Sequence, residues 1–174
     1  SILMFEFRAD NSNVEDFMGG LDSDETTPVR YENRKRFWLE YIECNQENDG
    51  LYASLSMTTR NYISKNVLTI AGGTVNVIIN KDNCRCEVYI NTGSKEKNKA
   101  IFDTLHQHKE ELEQQTGPCV WERIDDKVTC RIRIDRDYVY TNSDDKENIF
   151  KFFIEYSQKM HTAFTHMGEL LQLK

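Results

Sequence analysis

The stretch from 120 to 134, VWERIDDKVTCRIRI, limits the possible folds of this chain more than any other. Two alternating runs flank Asp125-Asp126, and the pattern predicts a hairpin. Val128, Cys130, Ile132 and Ile134 fall on one side of the second run, with Lys127, Thr129, Arg131 and Arg133 on the other. Such period-2 alternation belongs to a sheet with one face on a core and one face free. The free face is basic, in a chain whose net charge is −7. That contrast makes it the first candidate for a binding surface.

Other segments extend the sheet. Thr74 to Asn80 turns Val75, Val77 and Ile79 inward, and Cys84 to Asn91 alternates Cys84, Cys86, Val88 and Ile90 against Arg85, Glu87, Tyr89 and Asn91. Val67 to Ile70 reads as a strand ended by Gly72-Gly73, and Lys81-Asp82-Asn83 as a tight turn. Ile2 to Ala9 alternates weakly as one more strand. Turns this short favour antiparallel neighbours. Leu51 to Ile63 fits neither the helical nor the strand period.

Three helices are expected. The first has Thr27 as N-cap and Pro28 at its first position, and it runs to about Cys44. Ser94 caps the second, in which Ile101, Leu105, His108 and Leu112 form a narrow apolar stripe until Thr116-Gly117-Pro118 ends it. Ser143 caps the third, Asp145 to Gln172, about 40 Å long at 1.5 Å per residue. The pattern predicts an α+β fold: a mainly antiparallel sheet of about five or six strands, covered on one face by three helices. Residues 1–27 read as an N-terminal strand and acidic connector, and residues 28–174 as a single α+β domain.

A length of 174 residues suits one domain with a substantial core, and 39% hydrophobic residues exclude disorder of the whole chain. No segment approaches the roughly 18 apolar residues of a membrane span, and no basic-led signal peptide is visible. Five cysteines, an odd number, point to reduced thiols in the cytoplasm. An acidic chain is poorly suited to gripping phosphates without specificity, although a local basic patch is compatible with it.

The motifs for chemistry are thin. Cys84-x-Cys86 sits on one strand face without a second ligand pair, and His106 and His108, two apart on a helix, point to different sides. Asp125-Asp126-Lys127 carries the letters of a nuclease metal site but falls at a turn, and Asp144-Asp145-Lys146 opens a helix. No phosphate loop, nucleophile elbow or zinc-protease motif is present. No catalytic residue, metal or cofactor is expected.

Two surfaces remain. Arg85, Tyr89, Trp121, Arg131 and Arg133 combine guanidinium groups with rings, which suits phosphates and bases. The opposing reading pairs Arg131 and Arg133 with Glu87, Glu122 or Asp135. On the last helix, Phe153, Met160, Phe164 and Met167 follow a seam that would join two chains if the helix outran its own core.

Several blocks occur in a familiar order: Arg34-x-Arg36-Phe37-Trp38, Arg60-Asn61-Tyr62-Ile63, Cys84 to Ile90, Asn98-Lys99-Ala100-Ile101-Phe102, Gly117 to Arg123, Arg131-Ile132, and Phe164 with Leu170. Over residues 29–172 this order resembles a bacterial and archaeal domain family of unknown function. Many members lie C-terminal to a restriction-endonuclease-like nuclease domain. This chain departs from it at Tyr62, where many members have Trp. The resemblance implies a cytoplasmic, non-catalytic binding or accessory module of nuclease or defence machinery, with DNA or a nuclease domain or subunit as partner and no membrane. A second reading is a structural or oligomerisation domain that forms a homodimer through the last helix. A third, weaker reading is a metal-dependent nuclease.

Overall fold

The computed structural model describes residues 26–174. The strand expected over 2–9 and nearly all of the acidic connector lie outside the described residues.

Helix α1 spans Thr27–Glu47, with Pro28 in its first turn, where its missing N–H costs nothing. Arg34, Phe37, Trp38, Tyr41, Ile42 and Asn45 are its buried side, a stripe at helical spacing. Strand β1 is Tyr62–Asn66, β2 is Gly73–Ile79 and β3 is Cys84–Ile90. The strand expected at 67–70 is instead the connection from β1 to β2, and the pairing runs Tyr62↔Ile78 to Asn66↔Thr74.

Helix α2 is Lys95–His106 and α3 is Lys109–Thr116. The second expected helix is therefore broken at Gln107-His108, and four helices stand among the described residues where three were expected. The two pieces have different partners: α2 lies against β3 and β5, while α3 leans on the last helix. His108 leaves the helical conformation at φ −109°, ψ 23°, and Leu105 and Leu112 are both buried.

Strand β4 is Val120–Glu122 and β5 is Cys130–Arg136, followed by α4, Lys146–Leu170. The expected Ser143 cap is replaced by Asp145 in the N-cap position, and the Asp145 carboxylate accepts from Val139 N at 2.9 Å. The five strands form one antiparallel sheet in the order β1-β2-β3-β5-β4. Helices α4 and α2 lie against its strands, and α1 and α3 pack on α4. The expected α+β class and mainly antiparallel sheet thus hold, with five strands and four helices among the described residues.

The register sorts the sheet's side chains. Val77, Cys86 and Ile134 stand in line across β2, β3 and β5, as do Val75, Val88 and Ile132. These form the helix side and join Trp38, Tyr41, Phe153 and Phe164 in the core. Trp38 stacks on Phe153, and its Nε1 donates to Arg60 O at 2.7 Å, just before the outer strand β1. The opposite edge is also occupied. Cys119 N, beside β4, donates to Glu113 Oε2 at 2.8 Å. Side-chain partners of this kind blunt a sheet edge against strand addition.

Candidate functional site

The polar side of the sheet is built by the same alternation. Asn76, Glu87 and Arg133 align across β2, β3 and β5, with Arg85 opposite Asp135 and Tyr89 opposite Arg131. Three of the expected surface residues, Arg85, Arg131 and Arg133, therefore do share one side with Tyr89. Trp121 does not: it stands opposite Ile132, on the helix side. There it packs edge-on to Phe102 and His106 and donates to Glu113 Oε2 at 3.2 Å. This is a correction to the expected grouping, and its cause is strand parity.

The arginines are not free cations. Arg85 Nε donates to Asp135 Oδ1 at 2.9 Å, and its Nη1 lies 3.7 Å from Glu87 Oε1. Arg133 pairs with both Glu122 and Asp135, and Arg131 Nε donates to Glu122 Oε1 at 3.3 Å. The chain of contacts continues inward: Asn76 Nδ2 donates to Glu87 Oε2 at 2.8 Å, and Ser64 Oγ donates to Asn76 Oδ1 at 2.7 Å. One network thus crosses all five strands, with three guanidinium groups facing three carboxylates.

The network is also withdrawn from water. Tyr89 and Asn76 are 0% exposed and Glu87 is 1% exposed. Side-chain exposure rises toward β4 and β5, to 24% at Glu122 and Arg133 and 25% at Asp135. Burial lowers the Arg85 pKa, and the Glu87 charge opposes that fall. At Glu122 burial pushes the carboxyl up, but hydrogen bonds from Arg133 and Arg131 outweigh it and leave the pKa below the ordinary value. These arginines hold structure first. Presenting one to a phosphate would require it to leave a carboxylate.

A second construction holds the 123–129 loop between β4 and β5. Lys99, 6% exposed, donates its ammonium to the carbonyls of Arg123, Ile124 and Thr129 at 2.5–2.8 Å. Asn98 Nδ2 donates to Val128 O at 2.9 Å, and its Oδ1 accepts from Thr92 N at 2.8 Å. Outside, Arg123 grips Asp103 with two hydrogen bonds and also pairs with Asp125. The loop bends through Ile124 at φ 54°, which a β-branched residue rarely adopts. The Asn98-Lys99 block is therefore a clasp. One signal for it was readable: Asn98, Ile101 and Leu105 have helical stripe spacing, which put a polar group on a buried face.

The remaining expectations can be placed. Phe153, Met160 and Phe164 are 0% exposed and Met167 is 3% exposed, all within the chain's own core. They leave almost no area for a second chain. Cys84 and Cys86 face the helices, and burial pushes the Cys84 thiol up to about 12 and the Cys86 thiol well above its ordinary value. Thiols held this way are poor nucleophiles and poor ligands. Among the described residues no group of three His, Cys, Asp or Glu side chains is placed to hold a metal. Asp126 is exposed in the clasped loop, and no described helix is long and apolar enough to cross a membrane.

Comparison with curated proteins and with solved structures finds no significant match. The family model described as a domain of unknown function, DUF4268, matches residues 33–167. That span contains all five strands, the ion-pair network and the Lys99 clasp, and the chain belongs to this family.

Proposed function

We propose that this domain is a non-catalytic accessory module of cytoplasmic, DNA-directed machinery, and that it docks on a protein of that machinery rather than on the phosphate backbone. The observation that carries this reading is charge balance on the polar sheet face. Arg85, Arg131 and Arg133 are matched by Glu87, Glu122 and Asp135. A polyanion is gripped by unmatched cations whose counterions it displaces. A neutral face with alternating signs fits a protein surface of complementary pattern. The β4–β5 half carries the partial exposure, with Val120 45% exposed beside the charges. The DNA-directed setting rests on the resemblance of the Trp38, Asn98-Lys99 and Trp121 blocks to nuclease-associated domains.

The test is co-expression with a restriction-endonuclease-like nuclease domain, the partner to which the resemblance points. Light scattering should give a complex mass, and Val120→Arg should return the two separate masses. Two separate masses for the unaltered proteins would count against docking. Duplex DNA at low salt should migrate unchanged beside the domain alone. A salt-sensitive shift lost in Arg131→Glu would replace this reading with direct nucleic-acid contact.

A further inference from the structure

Beyond the ends of β1, β2 and β3 lies a cavity of about 400 Å³, and nothing above assigns it a role. Its volume falls in the range of small-molecule sites. The connection 67–72 forms one wall, with Leu68 and Ile70, and Thr74, Asn91, Asn66 and Lys174 line the rest.

The wall is fixed in place. Thr69 Oγ1 donates to Thr165 O at 2.7 Å, and Ala71 N donates to Leu173 O at 2.8 Å. Gly168 lets the wall approach α4, since a Cβ there would meet Thr69 Oγ1 at 2.5 Å. At the turn itself, Gly72 has φ +66°, and a Cβ would meet Asn91 O at 2.4 Å. The cavity is therefore shaped by close main-chain contacts before anything enters it, which lowers the ordering cost of binding.

Its chemistry is mixed in a specific way. Leu68 is 74% exposed and offers an apolar surface. Asn91 lines the cavity, and its Oδ1 accepts from Gly93 N at 2.9 Å, which fixes the orientation of its amide. Asn66 is exposed, and so is Lys174. A carboxamide pairs in two-point fashion with the edge of a purine, an aliphatic side chain covers a base face, and an ammonium takes a phosphate as a point charge. We propose that this cavity binds a purine nucleotide, with the base against Leu68, its edge read by Asn66 and Asn91, and its phosphate near Lys174. The nucleotide has two sources, a free monophosphate or the end of a single strand. The proposal does not depend on the protein docking proposed above.

Adenosine 5′-monophosphate and a short single strand ending in adenosine are the two probes. Titrated separately at millimolar concentration into the isotope-labelled full chain, at least one should shift the amide signals of 66–73 and 91. Leu68→Glu and Asn66→Ala lie at exposed positions and keep the fold, and each should weaken binding about tenfold or more. A response to the mononucleotide assigns the site to free nucleotides, and a response to the strand alone assigns it to strand ends. No shift with either probe, shifts elsewhere, or binding unchanged in both variants would overturn the proposal.

Discussion

On strand β3, Cys86 and Glu87 are sequence neighbours, and both are almost wholly buried. They are buried by opposite means. Cys86 faces α4 among Val77, Ile134 and the rings of the core, where contact is dispersive and non-directional. Glu87 faces the other way, where Asn76 and Arg85 satisfy it with specific atoms. The same sheet thus has a side that tolerates changes of shape in small steps and a side that fails when one partner is lost. The difference matters for function, because a rigid, charge-balanced face can hold a docking pattern but cannot readily release an arginine.

The largest expected loss is on the apolar side. Phe153 is 0% exposed and stacks on Trp38, with Tyr41 at 5.5 Å. Phe153→Ala should destabilise the domain by about 3–5 kcal/mol in urea unfolding, since the surrounding rings cannot close the cavity. A loss near 1 kcal/mol would mean that α4 is held mainly by its polar contacts, and the comparison would break there.

The next loss tests the polar side. Glu87→Ala leaves Asn76 Nδ2 and one contact of Arg85 without an acceptor, and should cost about 3 kcal/mol. Cys86→Ala, one residue away, removes a single buried sulfur and should cost about 1–2 kcal/mol from lost packing alone. If the two substitutions cost the same, the polar side is ordinary packing and not a cooperative network. Lys99→Met keeps the stem but removes the ammonium from three carbonyls. It should cost about 2–3 kcal/mol and speed amide exchange over 123–129 before the rest of the sheet opens.

Much of this contrast was legible in the chain. The alternation over 84–91 and 130–134 gave both sides of β3 and β5 correctly, because strand parity depends only on spacing. Glu87, Glu122 and Asp135 were visible as the carboxylates that could neutralise the arginines, but which groups meet depends on register, which no single strand encodes. Trp121 was misplaced for the same reason: a strand of three residues carries too little alternation to fix its own side. The break at His108 was illegible because the pieces on either side have different packing partners, the sheet and α4, that sequence spacing does not reveal. The clasp was half visible, since Asn98 lies on the stripe of Ile101 and Leu105, but the carbonyls that accept from Lys99 lie 24 to 30 residues away.

The smallest expected effect is also the one that reads the network's charge directly. Burial raises the Glu122 pKa, but the bonds from Arg133 and Arg131 overcome this and bring it below the ordinary value near 4.3. A carboxyl whose pKa is lower folded than unfolded stabilises the fold fully above the unfolded value, and that stabilisation fades as pH falls through the folded value. Glu122→Gln should therefore lower the melting temperature modestly at pH 7, and the gap to the parent should close on acidification below about pH 4. Asp103, held low by hydrogen bonds from Arg123, titrates in the same direction, so both proteins will keep a shared acid limb. A gap that stays constant from pH 7 to pH 3 would show that Glu122 acts through shape rather than charge. The ion pairs on the β4–β5 half would then be exchangeable at little cost, and a phosphate could compete for Arg131 and Arg133 after all.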